Sequence, residues 1–77
     1  MTTRVLVTGY GGFLGAAICH QLIRNGYTVR GLARNKYPSL ASAGVECIQG
    51  SVTDPKTLRD ALTKVDAVIH TPASAAV

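Results

Sequence analysis

A glycine-rich segment near the N-terminus is the part of this sequence whose residue types and spacing could do chemistry. It runs Thr8-Gly9-Tyr10-Gly11-Gly12-Phe13-Leu14-Gly15, with three glycines spaced G-x-x-G-x-x-G. Gly9 permits a tight turn, Gly12 lets the backbone approach a pyrophosphate without a Cβ, and Gly15 lets a helix pack closely on a strand. The N–H groups of the first helical turn then point at the phosphates. We predict a site for a phosphate-bearing cofactor, with a purely structural glycine turn as the alternative.

Two better-known phosphate motifs are excluded by the same residues. The fingerprint G-x-G-x-x-G fails because position 14 is leucine, and no G-K-S/T follows as in a P-loop. The glycine spacing therefore needs support from the elements around it.

Strands and helices alternate around the glycines. An apolar, β-branched run over residues 4–8 predicts a buried parallel strand. A helix is predicted over residues 13–25, ending at Asn25-Gly26. Its expected buried stripe consists of Leu14, Ala17, Ile18, Gln21 and Leu22.

The rest of the chain continues the alternation. Further strands are predicted over residues 27–33, 45–49 and from 65 or 67 to 71, and a connector over 34–44 contains one helical turn at 38–43. Asp54-Pro55 predicts a helix start, with Leu58, Ala61 and Leu62 buried. The fold class is therefore α/β, the N-terminal part of a Rossmann-type doubly wound parallel sheet with the order β-α-β-β-α-β.

Length and composition limit the function classes. The chain has 77 residues, fewer than the usual domain of about 100–150 residues. Its composition, 47% hydrophobic and 16% charged, is that of a globular protein. The last strand would leave a sheet edge open, so either a partner covers that edge or the chain is a fragment. We interpret residues 1–77 as an incomplete dinucleotide-binding domain of a longer protein. We expect no membrane span and a cytoplasmic location, with Cys19 and Cys47 as small core residues.

The net charge of +4 suits an anionic partner, and the basic residues are scattered along the chain. No recognised nucleic-acid motif is present in the sequence, so nucleic acid is not the expected partner.

The glycine segment and its flanks resemble the N-terminus of an extended short-chain dehydrogenase/reductase. Within it, Arg34, Tyr37-Pro38, Gly44-Val45-Glu46 and Gln49-Gly50 are similar to the branch of 3β-hydroxysteroid dehydrogenases and 2-alkyl-3-oxoalkanoate reductases. The resemblance covers nearly the whole chain. It implies a cofactor contact along the whole glycine segment, namely at Gly9, Tyr10, Gly11, Gly12, Phe13, Leu14 and Gly15.

The end of the second predicted strand favours NADP over NAD. NAD-binding units usually place an Asp or Glu there, on the ribose 2′-hydroxyl. Here Ala33 stands at that position, followed by Arg34, with Lys36 nearby. An arginine can bind a 2′-phosphate bidentately, and no carboxylate repels it. NAD and a solvated Arg34 are the alternatives.

The ends of the third and fourth strands provide further candidates, which the resemblance implies. Ser51 stands where similar enzymes carry an aspartate that contacts adenine, and Val52 follows it. Thr71, Pro72 and Ala73 correspond to the segment that runs along the cofactor. We interpret His70 as a packed histidine with hydrogen-bonded ring nitrogens rather than a catalytic residue.

No constellation for hydride-transfer chemistry is present. The resemblance implies a Tyr-x-x-x-Lys pair as the proton-handling group of the superfamily. The residues four positions before Lys36, Lys56 and Lys64 are Leu32, Val52 and Asp60. The expectation is thus the cofactor-binding part of an NADP-dependent oxidoreductase acting on a secondary alcohol or ketone, steroid-like or a long-chain 3-oxo acid.

Two alternatives remain open at this stage. One is a nucleotide-sugar epimerase or dehydratase, and the other is a non-catalytic dinucleotide-sensing module. The substrate would bind only the longer protein, for which a homodimer is left open.

Overall fold

A computed structural model of the chain describes residues 3–71, which form a four-stranded sheet with three helices. In chain order the elements are β1 (Arg4–Thr8), α1 (Phe13–Arg24), β2 (Thr28–Ala33), α2 (Pro38–Ser42), β3 (Glu46–Gln49), α3 (Pro55–Leu62) and β4 (Ala67–His70). The predicted Rossmann-type α/β fold is confirmed.

The four strands are all parallel and lie in the order β3-β2-β1-β4. The chain therefore moves in one direction from β1 to β3, then crosses to the other side of β1 for β4. Opposite crossovers on the two sides of β1 make the β1–β4 boundary a topological switch point, where open parallel sheets bind ligands at their carboxyl ends.

Each face of the sheet has its own cluster, because side chains alternate along a strand. On one face, Val5 and Val7 of β1 pack with Val29 of β2 and with Cys19 of α1. On the other face, Leu6 and Leu32 pack against Ala61 of α3.

The end of α1 is determined by a local motif. The N–H of Gly26 donates to the carbonyl of Ile23, and the N–H of Tyr27 to that of Leu22. Gly26 has a φ of +88°, as this Schellman-type ending requires. The predicted stop at Asn25-Gly26 is confirmed.

The predicted buried stripe of α1 was right only in part, since Ile18 and Leu22 pack against the core as predicted and the other three residues do not. The residues of α1 that are buried are Gly15 and Cys19, while Leu14 is 59% exposed and both Ala17 and Gln21 are exposed. The helix is rotated so that Gly15 lies against the first turn of the loop. Because α1 has apolar residues on both sides of Gly15 and Cys19, the spacing of its apolar residues did not predict which face is buried. In α3, Leu62 was also predicted buried and is 42% exposed.

A buried arginine joins β2 to both β3 and α3. The guanidinium of Arg30 donates to the carbonyls of Ala61 and Thr63, at 2.8 and 2.7 Å, and pairs with Glu46 at 3.1 Å. It thereby satisfies carbonyls at the end of α3 that have no partner within the helix. Sequence patterning assigned Arg30 only to the strand.

The two cysteines differ, contrary to prediction. Cys19 is buried on α1, but Cys47 is exposed on β3. β3 and β4 are the sheet edges of the described residues, and both show mostly exposed side chains. No helix within residues 3–71 is long and apolar enough to cross a membrane.

Candidate functional site

A cleft of about 440 Å³ opens at the carboxyl ends of the four strands, across the switch point. Its lining residues come from the segments after β1 (Thr8, Gly9, Gly11, Gly12), β2 (Leu32, Ala33, Arg34, Asn35, Tyr37), β3 (Gly50, Val52) and β4 (His70, Thr71). This is the position at which doubly wound sheets bind nucleotides.

Two of the glycines hold the loop in place. Gly9 has a φ of +68°, and a Cβ there would overlap the main chain of Thr71. A Cβ on Gly15 would come within 2.5 Å of the Gly9 carbonyl oxygen and 2.7 Å of the Tyr10 Cα. The first glycine permits the turn after β1, and the third lets α1 lie directly against that turn.

The middle glycine faces open space instead. A Cβ on Gly12 would meet only the Gly9 carbonyl oxygen, at 3.7 Å, so the protein itself does not require glycine at this position. Gly12 is also the N-cap of α1, where no side chain caps the helix and no acid stands in the first turn. The first-turn N–H groups and the positive end of the helix dipole are left for an anion.

A tyrosine covers the loop from the side. The ring of Tyr37 occupies the space that a Cβ on Gly11 would need, and it meets the ring of Tyr10 edge-on with centroids 5.2 Å apart. The side chain of Tyr10 is fully buried in the core, so it does not reach the cleft. Any contact of Tyr10 with a ligand there would be through its main chain.

The end of β2 supplies the cation of the cleft. Ala33 and Arg34 line it, Arg34 is exposed, and the Arg34 carbonyl accepts a hydrogen bond from Gln49 at 3.0 Å. Among residues 3–71 the only ion pair joins Arg30 to Glu46, and no carboxylate lines the cleft. Lys36 does not line it and belongs to a neighbouring cavity.

The turn after β3 contributes little polarity. Val52 lines the cleft, but the Ser51 hydroxyl pairs with the Thr53 hydroxyl at 2.7 Å and accepts from the Thr53 N–H. Ser51 therefore stabilises its own turn, and its side chain is not among those lining the cleft.

The end of β4 is tied to the end of β1. The buried Thr71 donates its hydroxyl to the carbonyl of Thr8 at 2.6 Å. His70 forms a short hydrogen bond through Nδ1 with the Thr8 hydroxyl, yet its side chain is exposed at the cleft rather than packed as predicted. Pro72 and Ala73 lie outside the described residues.

The structure separates the sequence candidates into two groups. Those that line the cleft are Gly9, Gly11, Gly12, Arg34, Val52 and Thr71. Phe13 is 96% exposed and Leu14 59%, and neither lines the cleft, while Gly15 is buried beneath the loop.

Sequence reasoning missed part of the lining. The lining residues that were not chosen as binding residues lie near or shortly after the ends of predicted strands; they are Thr8, Leu32, Ala33, Asn35, Tyr37, Gly50 and His70. The rule that carboxyl ends of parallel strands meet at one edge would have found most of them.

The fold and cleft define a Rossmann-type nucleotide-binding α/β protein. The model of the NAD dependent epimerase/dehydratase family matches residues 5–77. The chain therefore belongs to that family.

Individual relatives agree with this assignment. The chain is 44% identical over 72 residues to a 2-alkyl-3-oxoalkanoate reductase of Stenotrophomonas maltophilia, covering 94% of this chain and 22% of the relative. It is 40% identical over 72 residues to a 3 beta-hydroxysteroid dehydrogenase/Delta 5-->4-isomerase of Mycobacterium tuberculosis, covering 91% and 19%. The chain thus spans about a fifth of the length of these relatives.

A solved structure shows the same fold. It is a short-chain dehydrogenase/reductase superfamily protein from Agrobacterium tumefaciens with bound NAD, 36% identical with a TM-score of 0.77. The match covers 90% of this chain and 20% of the Agrobacterium chain.

Proposed function

We propose that this chain binds a nicotinamide dinucleotide as the cofactor-binding part of an oxidoreductase. The observation that carries the proposal is the uncapped start of α1, which opens onto a cleft at the switch point beside a glycine with free space above it. The pyrophosphate would lie against the N–H groups after Gly12. Gly9, Gly11 and Thr71 would shape the cleft, and Arg34 would hold a charged group at its far end.

We propose NADP rather than NAD as the preferred dinucleotide. Arg34 lines the cleft, and the neighbouring position, where an acid would hold the 2′-hydroxyl of NAD, carries Ala33. Since no carboxylate lines the cleft in residues 3–71, nothing there would repel a 2′-phosphate, and the guanidinium can donate two hydrogen bonds to it.

Arg34→Ala tests this preference. We expect NADPH binding by the chain to weaken about 10- to 100-fold, because a charge-assisted contact is lost, and NADH binding to change little. Calorimetric titration of both dinucleotides measures the two affinities. Arg24→Ala removes the same charge at the other end of α1 and serves as the matched control. An equal loss for both dinucleotides, or no loss, would count against the preference for NADP.

The reaction we propose for the whole protein is hydride transfer between the nicotinamide and a secondary alcohol or ketone. The names of the two curated relatives support a 3-oxo acid or a steroid-like substrate. The proton-handling Tyr-x-x-x-Lys pair is absent from these 77 residues. This part of the protein would bind and orient the cofactor and exclude water from its pyrophosphate.

Epimerase or dehydratase chemistry on a nucleotide sugar is the second candidate, favoured by the description of the family whose model matches. The two reactions differ in their cofactor balance. A reductase consumes one NADPH per product, whereas an epimerase returns its dinucleotide to the starting state. Following NADPH absorbance together with product in the protein that carries this chain separates them.

A further inference from the structure

A second cavity, of about 290 Å³, lies beside the cofactor cleft, between the connection after β2 and the edge strand β3. Aromatic and aliphatic groups form most of its wall, including the rings of Tyr10 and Tyr37, together with Pro38 and Ala41. The proposed dinucleotide site does not use this space. Cys47, an exposed residue of β3, also lines it, and its thiol donates to the carbonyl of Val45 at 3.5 Å.

A buried hydroxyl without a partner lies in the same wall. Tyr10 is fully buried, and its hydroxyl has no hydrogen-bond partner among residues 3–71. Burial, with a smaller contribution from the nearby Cys47, raises the pKa of Tyr10 well above its usual range, so the phenol remains a proton donor. A buried hydroxyl left unpaired costs free energy, and a polar group entering the cavity would recover it.

Tyr37 is a wall common to the cavity and the cofactor cleft. The ring of Tyr37 contacts the ring of Tyr10, and on the cleft side it fills the space above Gly11. A group that enlarges the cavity by moving Tyr37 would therefore change the packing of the glycine loop. Asn35 also lines both spaces.

We propose that Cys47 is a thiol–disulfide exchange site for a low-molecular-weight disulfide with a hydrogen-bonding arm. The adduct would fill the second cavity, pair its polar arm with the Tyr10 hydroxyl and shift Tyr37 away from Gly11. The Cys47 thiol gives its proton to water, and its sulfur attacks one sulfur of the disulfide. That bond breaks, and the released thiolate takes up a proton. The disulfide is the oxidant, and Cys47 is oxidised.

Cys19 provides an internal control for reactivity. It is buried, and burial raises its pKa to about 11, so little of it is thiolate near neutral pH. With bis(2-hydroxyethyl) disulfide as the probe, we expect mass spectrometry to show adduct at Cys47 at least about tenfold faster than at Cys19. Cys19→Ser should keep the fast reaction and Cys47→Ser should lose it. Equal rates at the two thiols would overturn the proposal.

The role of Tyr10 is tested with a pair of probes. Diethyl disulfide lacks the hydroxyl of the first probe, so we expect it to form several-fold less adduct at equilibrium with the unmodified protein. Tyr10→Phe should abolish that difference, because the partner for the probe hydroxyl is gone. A preference that persists unchanged in Tyr10→Phe would contradict the proposed contact.

The coupling between modification of Cys47 and the glycine loop is measured by the Gly11 amide signal in a ¹H–¹⁵N spectrum and by NADPH affinity. We expect the Cys47 adduct to shift that signal and to weaken NADPH binding about fivefold, within the usual range of coupling between sites. Cys47→Ser treated in the same way should show neither change. A Cys47 adduct that leaves the Gly11 signal in place would overturn the coupling.

The expected loss of NADPH affinity rests on the proposed function. Failure of the proposed function and failure of the thiol site give different results. A chain that shifts its Gly11 signal on modification but binds neither dinucleotide would refute the proposed function and support the thiol site. A chain that binds NADPH equally with and without the adduct would refute the thiol site as a regulator.

Discussion

The two longer helices of this protein begin in opposite ways. At the start of α3, the Asp54 carboxylate accepts from the Lys56 N–H at 3.2 Å and from the Thr57 hydroxyl at 2.7 Å. At the start of α1, Gly12 occupies the cap position and no side chain caps the helix. One helix satisfies its own first turn, and the other leaves its N–H groups facing the cleft.

The difference supports the proposal that the start of α1 binds an anionic ligand. A capped N-terminus has already paired its donors and placed a negative charge at the positive end of the dipole. An uncapped one beside a cleft gains most when an anion arrives. The C-terminal end of α3 is satisfied as well, by Arg30, so that helix is stabilised by protein contacts at both ends.

The largest expected effect comes from Gly15→Ala. The new methyl group would press on the main chain of Gly9 and Tyr10 and push α1 away from β1. We expect the free energy of unfolding to fall by about 1–3 kcal/mol and dinucleotide binding to be lost. Urea denaturation followed by circular dichroism measures the first, and titration with NADPH the second. Unchanged stability would show that the helix does not need its close contact with the loop.

Gly12→Ala sharpens the comparison because the same change is made at a position with open space. The backbone there is extended, with a φ of −75°, so alanine fits without strain. We expect the free energy of unfolding to fall by about 1 kcal/mol or less, because alanine caps a helix less well than glycine. NADPH binding should weaken at least about tenfold, since the methyl group would occupy the proposed phosphate position. Unweakened binding with intact folding would exclude a pyrophosphate at this helix start.

The smallest effect is expected at the capped helix, from Asp54→Ala. Loss of the cap should lower the melting temperature by a few degrees and leave NADPH affinity unaltered. Lys56→Ala, a neighbouring surface change that keeps the Asp54 carboxylate, is the matched control. A large loss of NADPH affinity in Asp54→Ala would place this helix start in the binding site.

The same cap predicts a pH dependence. Hydrogen bonds from the Thr57 hydroxyl and then the Lys56 N–H hold the pKa of Asp54 below its usual value. The stabilisation is present above the unfolded pKa of about 4 and is lost as the pH falls through the lower folded pKa. Melting curves of the original chain and Asp54→Ala should therefore converge in acid. A constant difference across that range would rule out the carboxylate as its source.

Much of the fold was predictable because its signals are local. The start of α3 at Asp54-Pro55, the end of α1 at Asn25-Gly26 and the strand before Gly9 each depend on residues within one or two turns. Buried parallel strands also appear in the sequence as continuous apolar runs, and for this reason the predicted bounds of β1 and β2 nearly match those of the structure.

The errors concern properties that depend on distant contacts. The buried face of α1 follows from the contact of Gly15 with the loop, and the exposure of Cys47 follows from the place of β3 at the sheet edge. Neither is encoded in the periodicity of its own element. In the same way, Tyr10 follows the first glycine in sequence, yet its side chain points into the core.

The sequence by itself determined the element types, the glycine loop with its uncapped helix, and the arginine in place of an acid after β2. These follow from backbone freedom, capping and side-chain charge, which act over a few residues. Only the tertiary structure decided which of the predicted residues share the cleft, that Thr71 ties β4 to the loop, and that Tyr37 separates the cleft from the cavity at Cys47. Those arrangements depend on strand order and register, because segments some 60 residues apart meet only when the sheet is assembled.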